Sequence, residues 1–298
     1  MDDTSSAMNP LLNALTVDVE DYFQVAAYDK LVDFNDWGKY GDRVVQSTHK
    51  ILKLLADNQV KGTFFVLGWT AEKFPELVSE IHEAGHEIGL HSYQHRLIYN
   101  LSPEEFREDT QKSAEILERL TGDKIKCYRA PSFSVTEKSL WSLEILAELG
   151  FEYDSSIFPI YHDRYGIPNC NPEIHQIETS RGSIWEFPPA VYRIGGVNFP
   201  VSGGGYFRLY PFWLSRYFLQ KINRELNRPF IFYVHPWELD PDQPRIPGLS
   251  LASRFRHHVG IGRNERKLEQ LLWNFRFGKL SQVVQNRQSR QSGETRVC

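Results

Sequence analysis

Residues 11–21 of this 298-residue chain read LLNALTVDVED, an apolar run that ends in a group of acids. The run to Val19 predicts a buried strand, and the acids are Asp18, Glu20 and Asp21. Asp18 and Glu20 are two positions apart, so on an extended chain their side chains point to the same side. One of them can therefore bind a cation while the other remains free as a base.

Three later segments have the same form, a short run rich in Val, Ile, Phe or Tyr that ends in polar residues. They are His91-Ser92-Tyr93-Gln94-His95, Tyr128-Arg129-Ala130-Pro131 and Tyr233-Val234-His235-Pro236. Strands alternate with helices for about five units, which implies a parallel sheet with right-handed crossovers. If the sheet closes into a barrel, the carboxyl ends of its strands converge on one mouth.

The composition bounds the class of protein. Hydrophobic residues make up 41% of the chain, which is ample for a core, and the net charge of -4 with no basic stripe argues against a nucleic-acid partner. Cys127, Cys170 and Cys298 are far apart and form no disulfide framework, as in a reducing compartment. No apolar run reaches the roughly 18–20 residues of a membrane span, and no signal peptide is visible, so we expect a cytoplasmic protein.

The histidine pair is the first indication of a metal. A His-x3-His spacing is weak on its own, and the chain also has it at His82 and His86, which lie on different elements. His91, however, ends an apolar strand and His95 follows in a tight polar stretch, so both can aim at one point. Two imidazoles and one carboxylate hold a divalent metal, and Zn²⁺ suits that donor set best.

Two further strand ends supply the remaining groups for catalysis. Arg129 ends a strand and precedes Pro131, and its guanidinium can pair with a carboxylate and keep it ionised. His235 lies at a late strand end, where it can transfer a proton. Together these groups predict metal-assisted hydrolysis.

The four segments resemble the motifs of the polysaccharide deacetylase family, the carbohydrate esterases that share the NodB homology domain. The resemblance covers about residues 11–240, and the motifs stand in the family's order. It implies that Asp18 is the base, that His235 is the acid, and that Arg129 orients or charge-stabilises the base. It further implies metal ligation by an acid of the first motif and by His91 and His95.

The first motif departs from the common Thr-Phe-Asp-Asp of the family. Its spaced acids resemble the branch that contains peptidoglycan deacetylases and allantoinase-like proteins, which makes Glu20 the ligand and Asp21 the alternative. Ser132-Phe133 stands after Pro131 in place of the usual aromatic-Gly, so the oxyanion site differs in detail. Ser132 and Trp237 are our candidates for substrate contact. Asp154 is a candidate to contact the sugar or to tune His235, and a structural turn is an equal alternative.

The resemblance implies an α/β fold, a distorted (β/α) barrel of about seven strands, and the element count agrees. We expect the deacetylase domain over 11–240 and a loop-rich C-terminal extension over 241–285 packed on the barrel. Residues 1–10 and 286–298 are expected to be disordered. The segment after Trp237 looks like the extension of deacetylases encoded with exosortase-linked exopolysaccharide loci.

The expected function is metal-dependent removal of N-acetyl groups from amino sugars of a polysaccharide or an exopolysaccharide precursor. That expectation carries with it an association with the exopolysaccharide biosynthesis machinery, peripheral to the inner membrane. Two alternatives remain open. One is hydrolysis of a small amide, as in the allantoinase-like branch, and the other is a catalytically inactive glycan-binding member of an exopolysaccharide assembly system.

Overall fold

The computed structural model describes residues 11–294, with side chains described up to residue 289. The strands in this part of the chain are β1 Leu12–Val19, β2 Thr63–Val66, β3 Glu87–Leu90, β4 Cys127–Tyr128, β5 Tyr153–Asp154, β6 His175–Thr179, β7 Gly182–Glu186, β8 Val191–Ile194, β9 Val197–Pro200, β10 Ile231–Val234 and β11 Arg276–Gly278. The α-helices are α1 Val44–Asp57, α2 Gly68–Lys73, α3 Pro75–Glu83, α4 Pro103–Thr121, α5 Trp141–Glu148, α6 Gly204–Leu209, α7 Phe212–Arg224, α8 Leu251–His258, α9 Ile261–Asn274 and α10 Leu280–Glu294.

The main sheet has the order β10-β1-β2-β3-β4-β5-β7-β6, and β11 also pairs with β1. All of its neighbours are parallel except β6, which forms an antiparallel hairpin with β7. The sheet curls into a half-barrel, which confirms the α/β barrel expected from the sequence. β1 is buried along almost its whole length because strands flank both of its edges.

The helices that cover the sheet follow the sequence pattern. In α1 the buried residues include Val44, Ile51 and Leu55, at helical spacing, and they join the main core cluster. In α4 the hydroxyl of Ser102 accepts from the Glu105 N–H while the Glu105 carboxylate accepts from the Ser102 N–H. That reciprocal cap satisfies two donors that a helix start otherwise leaves unpaired.

A glycine allows the outer edge of β10 to be covered. Gly203 bridges Tyr233 of β10, and its φ of 139° lies in the region that favours glycine. A Cβ at this position would stand 2.0 Å from the Tyr233 carbonyl oxygen. The close approach carries the chain from the β8–β9 hairpin into α6, beside the carboxyl end of β10.

The C-terminal extension is more regular than expected. It is irregular only to residue 250, after which it forms α8, α9, β11 and α10, and β11 enters the main sheet beside β1. Disorder was the wrong expectation for residues 286–294, which continue α10. The helix is anchored because Leu280, Val283 and Val284 pack with Ala14 and Ile231 in one core cluster.

Residues 1–10 and 295–298, also expected to be disordered, lie outside the described residues. Within the described chain, no helix has the length and apolar character that a bilayer crossing requires.

Candidate active site

The carboxyl ends of β1, β3, β4 and β10 meet at one point, as parallel strands of a curled sheet should. Asp18, His91, Arg129 and His235 come from these four ends, and the first three are almost completely buried. The convergence expected from the four sequence segments is therefore present.

Glu20, His91 and His95 bring one potential ligand atom each to within 4.8 Å of one another. His91 Nδ1 lies 2.7 Å from the Arg129 carbonyl oxygen, so Nδ1 carries the proton and Nε2 keeps the lone pair that a metal needs. His95 Nε2 lies 2.9 Å from Glu20 Oε2. Two buried imidazoles and a buried carboxylate are a donor set that fits a divalent metal such as Zn²⁺.

The charge of Glu20 also suits a cation. Burial on its own would raise the pKa of Glu20, but His95 and then His235 outweigh that effect and lower the pKa to about 2. The carboxylate is thus ionised and ready to bind over the whole physiological range. Burial lowers the pKa of His91 to about 4, so its ring is neutral there, as a metal ligand must be.

Asp18 is held by a fully buried arginine. Arg129 Nη1 donates to Asp18 Oδ1 at 2.8 Å and to the Thr16 hydroxyl at 2.7 Å, while its Nε donates to the Ser155 carbonyl oxygen. The second carboxylate oxygen, Oδ2, lies 3.7 Å from His235 Nε2. The arginine therefore fixes one oxygen of Asp18 and leaves the other directed at the centre of the site.

His235 is positioned by two residues that the sequence analysis missed. Glu238 Oε2 accepts from the His235 N–H at 3.0 Å and lies 3.3 Å from His235 Nδ1. Arg208 Nε donates to the other oxygen of Glu238 at 2.7 Å. Burial lowers the pKa of His235, but Glu238 and then Glu20 raise it to about 9. An acid three positions after His235 was the only local signal, whereas Arg208 comes from a distant helix.

Trp237 lines the cleft, but its polar atom serves the site itself. Its indole N–H donates to Glu20 Oε1 at 3.1 Å, and its ring stacks on His257 with centroids 4.5 Å apart. It also stacks on His235 on the other side, at 5.3 Å. Trp237 therefore orients Glu20, in addition to the contact with substrate that the sequence led us to expect.

Asp21 is occupied elsewhere. Its Oδ2 accepts from the N–H groups of Arg43 and Val44 at 2.7 and 2.9 Å, where α1 begins. It thus caps a helix and lies outside the group formed by Glu20 and the two histidines. Of the two acids that the sequence left open as ligands, the geometry favours Glu20.

Asp154 does not lie in the cleft, which corrects its assignment as a substrate contact. It is fully buried at the end of β5, where Oδ1 accepts from the Ser156 hydroxyl and its carboxyl group interacts with Glu186. Ser156 Oγ in turn accepts from the Ala130 N–H at 2.8 Å. Through Ser156, Asp154 therefore holds the backbone of Ala130, the residue after Arg129.

Backbone strain is concentrated around the site. Ser92, His95, Ser132 and Phe133 have φ values of 63°, 57°, 51° and 53°, in the left-handed region that non-glycine residues rarely adopt. They lie in the two loops that follow β3 and β4, and three of the four line the cleft. Strained backbone persists where the surrounding structure enforces it, which is common at functional sites.

Asp18, Glu20, His91, His95 and His235 line a cleft of about 410 Å³. Its walls come from both halves of the chain and include Ser132, Tyr165, Tyr206, Arg208 and Phe255. The size is in the range of small-molecule and sugar sites.

Comparison with known proteins agrees with this geometry. Residues 34–153 match the family model described as Polysaccharide deacetylase. The chain carries a polysaccharide deacetylase domain of the NodB type. Residues 155–285 match a second model, described as a domain of unknown function (DUF3473). The two matches meet near residue 154, so His235, Glu238 and Arg208 fall within the second one.

Two curated deacetylases are similar to part of the chain. Peptidoglycan-N-acetylglucosamine deacetylase of Bacillus cereus is 42% identical over 101 residues, which are 34% of this chain and 37% of that protein. Peptidoglycan deacetylase of Helicobacter pylori is 33% identical over 121 residues, or 39% of this chain and 40% of that protein. The chain thus spans about two fifths of each of these relatives.

A solved structure supports the fold over almost the whole chain. A Mycobacterium smegmatis protein provisionally named a polysaccharide deacetylase superposes with a TM-score of 0.62 at 18% identity, covering 95% of this chain and 91% of that one. At that identity the likeness concerns the fold alone. The deacetylase fold therefore extends through the region of the second match.

Proposed function

We propose that the protein is a metal-dependent hydrolase that removes N-acetyl groups from amino sugars of a glycan. The observation that carries this proposal is the group Glu20, His91 and His95 within one cleft, next to the Asp18–Arg129 pair and His235. A purely glycan-binding protein has no use for a buried base, a separate acid and a metal-type donor set in one place.

Asp18 is the base in this proposal. A divalent metal held by Glu20, His91 and His95 would supply electrophilic activation of a water and of the amide carbonyl. Asp18 Oδ2 takes the proton from the attacking water, and Arg129 fixes the carboxylate through Oδ1. The fully buried guanidinium cannot swing away, because Thr16 and Ser155 hold its other donors.

His235 is the acid. Its Nε2 lies 3.7 Å from Asp18 Oδ2 and 3.6 Å from Glu20 Oε1, so it reaches the same reacting centre as the base. At the other ring nitrogen, Glu238 Oε2 lies 3.3 Å from Nδ1, and the same oxygen accepts from the backbone N–H of His235. The ring is thus oriented to give its Nε2 proton to the departing amine nitrogen.

Ser132 supplies the oxyanion site in this proposal. Its φ of 51° turns the backbone at the cleft wall, directly after the strand that carries Arg129. A backbone N–H in that turn would stabilise the negative charge that develops on the carbonyl oxygen. This arrangement uses the peptide rather than the side chain, which is compatible with the departure from the family's usual aromatic-Gly.

An N-acetylated amino sugar is the substrate class we propose. The two curated relatives are named for peptidoglycan, and one of them for N-acetylglucosamine. The resemblance of the segment after Trp237 to exosortase-linked deacetylases suggests an exopolysaccharide or its precursor instead, together with an association with its biosynthesis machinery. In either case the reacting group would be an N-acetyl group of an amino sugar, and the cleft chemistry is the same.

Acetate release from a panel of N-acetylated glycans, run together with metal analysis of the purified protein, tests the proposal. The panel contains peptidoglycan fragments, chitin oligosaccharides and small N-acetylated amines, and hydrolysis of allantoin is followed separately as ring opening, because allantoin carries no acetyl group. We expect metal-dependent acetate release from at least one glycan, and its loss in Asp18→Asn. Hydrolysis of small amides alone, or no hydrolysis by metal-loaded protein, would overturn the proposal.

A further inference from the structure

The mouth of the cleft carries two arginines from separate parts of the chain. Arg164 lies in the loop between β5 and β6, and Arg256 lies on α8, and both line the cleft. Burial lowers the pKa of His162, which also lines the cleft; Asp163 opposes this effect, and the charges of Arg164 and Arg256 add to it. His162 stacks on Tyr165 with ring centroids 3.8 Å apart, which gives this part of the cleft a flat wall.

No carboxylate of the described residues lies within 4 Å of either guanidinium. Asp163, the neighbouring acid, is 3.0 Å from His162 Nδ1. Asp29 interacts with Arg164 only at longer range, where the arginine lowers its pKa against a larger effect of burial. The two positive charges at the mouth are therefore available to a ligand.

The helix that carries Arg256 is fixed to the catalytic end of the cleft. Arg208 Nη1 donates to the carbonyl oxygens of His257 and Val259 at 2.6 and 3.0 Å. Gly260, with φ of 73°, permits this contact, because a Cβ there would stand 2.4 Å from the Arg208 carbonyl oxygen. The arginine of α8 is thus presented by the same residue that holds Glu238.

We propose that Arg164 and Arg256 form a subsite for an anionic group of the glycan, a carboxylate or a phosphate. Guanidinium groups pair with both anions through two parallel hydrogen bonds. A glycan that carried only hydroxyl and acetamide groups would cover these two charges without pairing them, which costs free energy. The subsite selects charged glycans for the deacetylation that we propose above, and it therefore rests on that function.

Direct binding measurements by calorimetry on the metal-loaded full-length protein test the subsite. The three probes are chitin tetrasaccharide, hyaluronan tetrasaccharide, which carries carboxylates, and chitin tetrasaccharide 1-phosphate. The test variant is Arg164→Gln with Arg256→Gln. The control is Arg263→Gln with Arg266→Gln, which removes the same charge from exposed positions on α9 outside the cleft.

We expect an anionic probe to bind at least about tenfold more tightly than the neutral one, because charge-assisted hydrogen bonds are about twice as strong as neutral ones. The preference should vanish in the test variant, remain in the control, and weaken at high salt. Whether the carboxylate or the phosphate probe gains more identifies the source of the anion. Equal binding of all three probes, or a preference that survives in the test variant, overturns the subsite.

Two further measurements distinguish the anion subsite from the proposed deacetylase function and from binding to a lipid surface. Acetate release by the same proteins is measured apart from binding, so a preference for anionic probes without any release rejects the proposed function and keeps the subsite. Sedimentation with phosphatidylglycerol vesicles tests the competing explanation, which is that the two arginines bind an anionic lipid surface. If the test variant loses vesicle binding while its glycan preference is unchanged, the arginines serve a lipid surface and the subsite is rejected.

Discussion

At the scale of single residues, the metal ligands give the first prediction. His91→Ala and His95→Ala should each lose most of the bound metal, because each removes one of three buried ligands. Metal content after dialysis, measured by atomic emission, is the readout. His82→Ala is the matched control, since it disrupts the other His-x3-His pair and removes a ring that contacts Asp123 and does not line the cleft. Stoichiometric metal in either ligand variant would show that the assignment is wrong.

The second prediction separates two adjacent acids. Glu20→Gln should weaken metal binding and leave the fold intact. Asp21→Asn should keep the metal but lower the free energy of unfolding by roughly 1 kcal/mol, because the carboxylate caps α1 through two N–H groups. Metal titration and urea unfolding of both variants measure the two effects. The opposite pattern would move the ligand to Asp21.

The third prediction concerns pH. His235 must be protonated to act as the acid, and its pKa is raised to about 9, so turnover should fall as the pH rises through that region. A bound cation would repel the imidazolium and move this limb to lower pH. Asp18→Asn and His235→Ala should keep the metal yet lose roughly 10²–10⁴-fold in turnover. Rates against pH at saturating metal should show the basic limb flattened in His235→Ala, and a rate near that of the unaltered protein would exclude the residue.

Sequence reasoning found the residues that occur in short motifs and missed those that reach the site from elsewhere. Asp18, His91, Arg129 and His235 each follow a strand, so their convergence could be inferred from the parallel sheet alone. Arg208 contacts the site only because α6 and the α8–α9 junction meet at Glu238. Asp154 shows the reverse error, because a polar residue at a strand end can face the interior as easily as the cleft.

At the scale of elements, α10 is the largest departure from the sequence-based expectation. Residues 286–294 are polar, so their composition predicted disorder, but they continue a helix whose first apolar residues pack on the sheet. Leu280 is completely buried, and its N–H donates to the Thr63 hydroxyl. Anchoring of this kind depends on a partner surface that no local pattern displays.

The fourth prediction tests that anchor. Leu280→Ala should lower the free energy of unfolding by about 2–5 kcal/mol, the usual result of truncating a buried leucine. Leu251→Ala is the control, because it makes the same change at a side chain that is 76% exposed. Urea unfolding followed by circular dichroism provides the measurement. Equal stability of the two variants would mean that α10 is not packed as described.

At the scale of the whole molecule, the two family matches are parts of one folding unit. β1, from before the first match, pairs with β10 and β11, which belong to the second. A boundary at residue 240, as expected from the sequence, separates β11 from the rest of the sheet. A boundary at residue 154, where the two matches meet, separates His235 from Asp18 and the proposed metal ligands. The candidate site therefore needs residues from the region that matches the domain of unknown function.

The fifth prediction follows from that sheet order. A fragment ending at residue 153 should remain largely unfolded, because β1 would lose β10 along one edge and β11 beside its first residues on the other. The full chain should unfold in a single transition, with far-ultraviolet circular dichroism and tryptophan fluorescence changing together. Two separated transitions, or a folded fragment, would show that the two regions are independent.

The hydrogen bond from Trp237 to Glu20 joins residues 217 positions apart, and this separation has a consequence for biosynthesis. The acids at the end of β1 therefore leave the ribosome more than two hundred residues before the indole and the His235 beside it. Contacts of such long range form slowly, because a large loop must close before they add any stability. A nascent chain thus exposes the apolar β1 while the residues up to β10 are being made, and the group of side chains around Glu20 can form only after Trp237 has been synthesised.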